Sequence, residues 1–231
     1  MTHSKKIRVY CSGPLFSPEE RMAMASISEV LEKAGFETFL PQRDGLEYWV
    51  MGLANTPVAL PGVTGLVHRA IFAVDVFQIF IGCDALVFNM NGRVPDEGAV
   101  AETAMAFTAG KPLVIYKNDD RTVFGGHDNS MVSGLSASFS KVRNVEEIPS
   151  EVALAMKKSP PSPYSDGNIP RGVQGVISQG RQVDRLLRAA KYARPNVESL
   201  LKHIEKIYGA MHLTPIPPIY CDGPKAEYSD Q

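Results

Sequence analysis

The sequence predicts an α/β protein built on a doubly wound parallel sheet. Segments of strand composition alternate with segments of helical spacing, and the connections between them are short, which is typical of a parallel sheet covered by helices on both faces. The chain has 231 residues, 44% of them hydrophobic, so it can bury a core of ordinary size.

The first half of the chain supplies most of the predicted elements. Strands are expected at residues 7–11, 36–40, 85–90 and 112–116, and helices at about 17–34, 67–81 and 97–109. The first helix has a serine N-cap at Ser17, a proline in its first turn and Gly35 as its stop signal. Prolines and glycines interrupt residues 45–65, which we expect to form a loop or an irregular helical insertion.

The second half has a last predicted strand at residues 138–142 and a helix at 145–157, which the prolines of residues 159–163 cannot continue. Helical spacing returns at residues 182–193 and 197–208, but two such helices bury too little surface to stand alone. We therefore predict an α/β domain of flavodoxin-like (Rossmann-like) topology at 1–157, a linker at 158–170, and a C-terminal helical extension with an extended tail at 171–231. The extension should pack on the core or on a neighbouring subunit.

Composition and spacing exclude several classes of function. The net charge is −1, so the chain lacks the positive charge that a binder of polymeric nucleic acid needs. No apolar run approaches the ~20 residues that cross a bilayer, and the first residues lead into a strand, so we expect a cytoplasmic protein without membrane contact. The cysteines and histidines lack disulfide-framework or metal-ligand spacing, and no dinucleotide or Walker glycine motif occurs. No metal or other cofactor is expected.

Candidate ligand-binding segments follow the predicted strands, because ligands of open α/β sheets bind beyond the carboxyl ends of the strands. They are residues 10–16 (YCSGPLF), 40–45 (LPQRDG) and 91–102 (NGRVPDEGAVAE). Gly13 allows a ligand to approach the backbone, and Gln42 and Arg43 can hydrogen-bond a heterocycle. A simple turn at Gly13 and a solvated loop at Gln42 are the alternatives.

Three carboxylates lie in otherwise apolar surroundings. Glu102 stands between alanines and a valine on a helix suited to burial, where an unpaired carboxylate is rarely placed without a function. Asp96 is also explained by capping of that helix, and Asp75 by the polar face of an amphipathic helix. Glu102 is therefore the strongest candidate for chemistry.

Three stretches of the sequence carry a resemblance to a known family. They are residues 10–16 (YCSGPLF), Asp75 ahead of residues 83–87 (CDALV), and residues 95–102 (PDEGAVAE), which an alanine-rich helix joins to residues 110–112 (GKP). Over about residues 6–150 the chain resembles the nucleoside 2-deoxyribosyltransferases and their nucleotide-hydrolase relatives. The most specific element is the D-x-G-x-x-x-E run.

The resemblance implies a role for each matching residue. Glu102 would be the nucleophile and Tyr10 would hold its carboxylate, while Asp96 would bind the sugar and Asp75 would assist the base. The resemblance also implies that Asn129 reaches into a neighbouring subunit, which makes a homo-oligomer necessary for function. The resemblance places Gln42 at the base end, and Ser12, Gly13, Arg43 and Gly98 of the candidate segments are further candidate substrate-binding residues.

The residue types agree with this chemistry. Cleavage of an N-glycosidic bond develops positive charge at the anomeric carbon, which a carboxylate can stabilise before it forms a covalent glycosyl-enzyme. Asp75 or Asp96 is the candidate donor of a proton to the leaving base. We expect a cofactor-free enzyme that transfers 2-deoxyribose, with retention, between a deoxynucleoside and a free nucleobase.

Two alternatives stay open at this stage. One is an N-glycosidase that hydrolyses nucleosides or nucleoside 5'-monophosphates, with Ser12, Gly13 and either Arg43 or Arg93 near a phosphate. The other is a non-catalytic module that senses nucleotides through the C-terminal helices.

Overall fold

A computed structural model describes residues 6–47, 61–122, 125–160, 169–193 and 197–208 of the chain. Its centre is a four-stranded parallel sheet in the order β2-β1-β3-β4. The strands are β1 Arg8–Ser12, β2 Glu37–Phe39, β3 Ala85–Asn89 and β4 Leu113–Tyr116. The sheet confirms the predicted α/β class, and all four expected strands form close to their expected positions.

Helices connect the strands and continue beyond them. The α-helices are α1 Pro18–Lys33, α2 Pro41–Asp44, α3 Pro61–Phe77, α4 Glu97–Thr108, α5 Ser130–Ser133, α6 Ile148–Lys158, α7 Arg171–Ala193 and α8 Val197–Tyr208. A π-helical turn at Gln78–Gly82 prolongs α3 up to Cys83, and short 3₁₀ turns lie at Ala137–Phe139 and Val145–Glu147. The predicted start of α1 is confirmed, because Ser17 and Glu20 form a reciprocal capping box.

The two faces of the sheet carry two different apolar layers. On one face, Val9 and Cys11 of β1 pack with α1 and α6 through residues such as Ile27 and Ile148. On the other face, Tyr10 of β1 packs with α3, the π-helical turn and α4. Since successive side chains of a strand point to opposite faces, Ser12 lies on the same face as Tyr10. This alternation directs both hydroxyl groups toward α4.

The C-terminal helices pack on α3. Val183, Leu187 and Ile204 share an apolar cluster with Ala73 of α3, and a hydrogen bond of 2.6 Å joins Gln78 Nε2 to Asp184 Oδ1. A Cβ atom on Gly180 would lie 1.9 Å from the main-chain oxygen of Ala73, so only glycine permits this helix crossing. Helix α7 begins at Arg171, well before the predicted residue 182.

Among the predictions about connecting segments, one is wrong, and several others concern residues outside the described part of the chain. The predicted strand at 138–142 is wrong, because Ser138 and Phe139 adopt φ values of 58° and only Val142 pairs with Tyr116. Part of the predicted insertion is helical, since α3 begins at Pro61, and residues 48–60 lie outside the described residues. Most of the predicted linker, at 161–168, and the predicted tail after Tyr208 also lie outside them.

Within the part of the chain that the structure describes, one segment has the length and hydropathy of a membrane span. It covers Gly65–Gly82, and 56% of it is buried inside the protein. Because this segment packs against the sheet on one side and α7 on the other, its apolar character is that of a core helix.

The crossing of α3 and α7 can be tested with two substitutions on the same helix. Gly180→Ala should lower the free energy of unfolding by about 1–3 kcal/mol, because the new methyl group must displace the Ala73 carbonyl. Gly175→Ala meets no atom within 4 Å and should raise it by about 0.5–1 kcal/mol through helix propensity. Urea unfolding of both variants checks this, and equal effects would show that the helices do not cross at Gly180.

Candidate active site

A cavity of about 600 Å³ lies beyond the carboxyl ends of β1, β2 and β3. Its lining includes residues that follow each of these strands, such as Gly13, Pro41 and Asp96, together with one side of α3 and the first turns of α4. Most of the wall is apolar, with contributions from Leu15, Phe16, Ile71, Phe72, Val76 and Met105. A concave apolar site with a few polar groups is the usual form of a small-molecule site.

Glu102 is held in this cavity by two hydroxyl groups from β1. The Tyr10 hydroxyl donates to Glu102 Oε1 at 2.8 Å, and Ser12 Oγ donates to Oε2 at 2.6 Å. Tyr10 and Ser12 are themselves fully buried. Both oxygens of the carboxyl group are therefore fixed in position before any ligand binds.

The environment of Glu102 makes its charge costly. Burial raises the pKa of Glu102 to about 7, against the lowering effect of the hydrogen bonds from Ser12 and Tyr10. The negative charges of Glu47 and Asp96 raise this pKa further. Burial, followed by the charges of Asp75 and Glu102, also raises the pKa of Tyr10 well above its usual range. Tyr10 thus stays a hydrogen-bond donor, and Glu102 becomes a carboxylate only near neutral pH.

Asp96 combines two roles. Its Oδ1 accepts a hydrogen bond of 2.7 Å from the Ala99 amide and caps α4, as the sequence allowed, and the residue also lines the cavity. Gly98 lines the same wall, close to Asp96. Gly13 also lines the cavity, and a Cβ atom on it would lie 2.8 Å from Asn89 Cβ and 2.5 Å from Met24 Sδ, so glycine lets the backbone pass between these side chains.

Two further carboxyl groups lie on the α3 side of the cavity. Asp75 of α3 is 7% exposed, and burial raises its pKa well above the usual range, with the charges of Glu47 and Glu102 adding to the shift. Glu47 follows α2, and burial raises its pKa as well. Sequence reasoning missed Glu47, because only the fold brings this residue next to Asp75.

Other predicted site residues lie outside the cavity wall. Gln42 Nε2 donates to the main-chain oxygen of Arg21 at 2.8 Å. Arg43 pairs with Glu32 and Asp44 at 2.8 and 2.7 Å. Asn129 is exposed and caps α5. Direct substrate contacts by these three residues stay predictions.

The cavity also receives a guanidinium group that the sequence did not single out. Arg21 of α1 lines it, and its Nη1 donates to the main-chain oxygens of Leu15 and Phe16 at 3.0 and 3.1 Å. Its position after a capping box, one helical turn into α1, gave no local signal of function. Within the described part of the chain, no group of three His, Cys, Asp or Glu side chains is arranged to hold a metal ion.

A carboxylate at a ligand cavity can act as the nucleophile in the cleavage of a glycosidic bond, as it does in retaining glycosidases. A comparison with known protein families supports this chemistry. The sequence model of the nucleoside 2-deoxyribosyltransferase family matches residues 9–146 of the chain. The chain belongs to the nucleoside 2-deoxyribosyltransferase family, as the resemblance predicted. A search of curated proteins finds no significant match.

The solved structures that are similar to this chain include the following two. A 2-deoxyribosyltransferase from Bacillus psychrosaccharolyticus has 17% identity and a TM-score of 0.49, over 68% of this chain and 99% of that chain. A conserved protein from Enterococcus faecalis V583 has 19% identity and a TM-score of 0.47, over 65% of this chain and 99% of that chain.

The hydroxyl contacts predict how the pKa of Glu102 responds to mutation. Tyr10→Phe and Ser12→Ala each remove a hydrogen bond that favours the carboxylate, so each should raise the pKa of Glu102 above about 7. Carboxyl ¹³C NMR titration, assigned with Glu102→Gln, measures the shift. Tyr116→Phe, on the opposite face of the sheet, is the control. An unchanged pKa in both site variants would contradict the hydrogen bonds.

The raised pKa of Glu102 also predicts a pH-dependent effect on stability. Its pKa rises from 4.5 to about 7 on folding, so the folded state retains the proton longer, and wild-type stability falls as pH increases across this window. Glu102→Gln removes this loss and should be more stable than wild type at pH 8, by up to about 3 kcal/mol, with a smaller difference at pH 5. Urea unfolding at both pH values measures the difference. Glu97→Gln, exposed on the same helix, serves as the control, and a destabilised Glu102→Gln at pH 8 would contradict the prediction.

Proposed function

We propose that this protein is a nucleoside 2-deoxyribosyltransferase that uses Glu102 as its nucleophile. The observation that carries the proposal is the Glu102 carboxyl group, with one hydroxyl donor on each oxygen, facing a cavity of about 600 Å³. Membership of the family supports the substrate class, namely deoxynucleosides and free nucleobases. The reaction on these residues requires no cofactor.

In the first step, a Glu102 oxygen bonds to the anomeric carbon of the deoxyribose as the bond from that carbon to the base nitrogen breaks. The electron pair of the broken bond goes to the base, which takes a proton from Asp75. Asp75 suits this role because burial raises its pKa well above the usual range, which favours the protonated form that a proton donor needs. Asp96 and Gly98 lie beside Glu102 and would border the sugar.

In the second step, a nitrogen of another base attacks the anomeric carbon from the side that the first base left. The bond to Glu102 breaks, its electron pair returns to the carboxylate, and the second base loses its proton to Asp75. Two displacements restore the original anomer. If water attacks instead, the product is free deoxyribose and the reaction is hydrolysis.

The proposal includes a cytoplasmic homo-oligomer in which Asn129 serves a neighbouring site. Asn129 is exposed and far along the chain from the cavity walls, and Met131, two residues later, has 82% of its surface accessible. The exposure of Asn129 leaves this residue accessible to a second subunit.

A second candidate is hydrolysis of nucleoside 5'-monophosphates, which Arg21 favours. A guanidinium group at a cavity is suited to bind a phosphate. The arginine proposed from sequence for this task, Arg43, is engaged in ion pairs outside the cavity wall, and Arg93 is an exposed loop residue.

The decisive experiment incubates the protein with 2'-deoxyadenosine and a second free base, and separates the products by chromatography. Exchange of the base supports transfer, free sugar alone supports hydrolysis, and binding without cleavage supports a sensing module. Glu102→Gln should lower the rate by several orders of magnitude, because it removes the nucleophile. Glu97→Gln should keep wild-type activity, and near-native activity of Glu102→Gln would refute the mechanism.

A further inference from the structure

The α3 side of the cavity contains a pair of acidic groups that the reaction at Glu102 does not fully use. Asp75 and Glu47 both line the cavity, and their carboxyl groups interact with each other. Asp75 Oδ1 and Glu47 Oε2 are buried, and neither has a hydrogen-bond partner among the described residues. Buried oxygens without partners are rare and costly, so a partner that arrives with the ligand would explain them.

The backbone makes room for the Glu47 carboxyl group at this position. A Cβ atom on Gly45 would lie 2.2 Å from Glu47 Oε2 and 2.7 Å from the main-chain oxygen of Pro41. Any larger residue at 45 would therefore displace the carboxyl group. The placement of Glu47 depends on this glycine.

Burial raises the pKa of both carboxyl groups. The interaction between them raises the pKa of Asp75 further and opposes the rise at Glu47, which favours Asp75 as the protonated member of the pair. A protonated Asp75 can donate to a base nitrogen, and the unpartnered Oε2 of Glu47 can accept a hydrogen bond from the base.

The position of the pair fits the base and not the sugar. Asp96 and Gly98 occupy the α4 wall beside Glu102, where the deoxyribose must lie for its anomeric carbon to reach Glu102. The α3 wall beside Asp75 contributes Ile71, Phe72 and His68, whose flat or apolar surfaces suit a heterocycle. A base with its edge toward α3 would meet Asp75 and Glu47.

We propose that Glu47 is a specificity-determining residue that selects nucleobases with an exocyclic amino group next to a ring nitrogen. The amino group donates to Glu47 Oε2, and the ring nitrogen meets Asp75. An oxo group at the same position would bring its carbonyl oxygen next to the Glu47 carboxylate, and two hydrogen-bond acceptors repel each other. Adenine and cytosine satisfy the pair, whereas hypoxanthine and uracil do not. This inference rests on the proposed function and adds the base preference to it.

The test compares nucleosides that differ only in this group. Wild type should show a higher kcat/KM for 2'-deoxyadenosine than for 2'-deoxyinosine, and for 2'-deoxycytidine than for 2'-deoxyuridine. Glu47→Gln replaces an acceptor by a group that can also donate, so both ratios should fall by about tenfold or more. Glu47→Asp keeps the carboxylate and should keep the preference, and Glu97→Gln, with the same charge change outside the cavity, should change neither ratio.

Binding of free bases gives a readout that does not depend on turnover. In Glu102→Gln, calorimetry should show tighter binding of adenine than of hypoxanthine, and adding Glu47→Gln should remove the difference. If wild type cleaves nucleosides but Glu47→Gln keeps both the kinetic ratios and the binding preference, the inference is wrong and the proposed function stands. If wild type cleaves none of the four nucleosides, the proposed function is wrong, and the binding comparison alone decides whether Glu47 selects the base.

Discussion

The site depends on one constraint: an ionisable carboxyl group has to be kept in an apolar cavity without losing the ability to ionise. Burial alone would raise the pKa of Glu102 further and favour its protonated, unreactive form. The hydroxyl groups of Tyr10 and Ser12 offset part of this effect and bring its pKa to about 7. Two positions of one central strand therefore have to be hydroxyl-bearing, and they have to face the same side of the sheet.

The order of the surrounding elements brings the two hydroxyl groups and the carboxyl group together. Strand β1 lies between β2 and β3. Its carboxyl end is therefore flanked by the carboxyl ends of two neighbouring strands. Asp96 starts α4 beside that end, and the helix then brings Glu102 over Tyr10 and Ser12. A buried tyrosine hydroxyl needs a partner in any case, and here that partner is the carboxyl group itself.

Much of this arrangement follows from local sequence, and the remainder depends on tertiary contacts. Capping residues and apolar periodicity were sufficient to predict the four strands and α1, and the acid among alanines was sufficient to single out Glu102. The early start of α7 was missed because glycines at 172, 175 and 180 argue against a helix, although Gly180 is required by the crossing with α3. Glu47 was missed for a different reason. Its neighbours in sequence form no motif that indicates a functional site, and only the folding of the chain after α2 brings Glu47 next to Asp75.

The C-terminal helices also support the cavity, although the family match ends at residue 146. Helix α3 carries Asp75 on the cavity side and Ala70, Ala73 and Val74 in the cluster with α7 and α8. Without α7, that apolar surface of α3 would face water, and Asp184 would no longer bond Gln78 in the π-helical turn. Helix α3, which carries Asp75, is thus held in place by α7 and α8, which lie outside the region that the family model matches. In this chain the geometry of the cavity depends on the extension as well as on the α/β core.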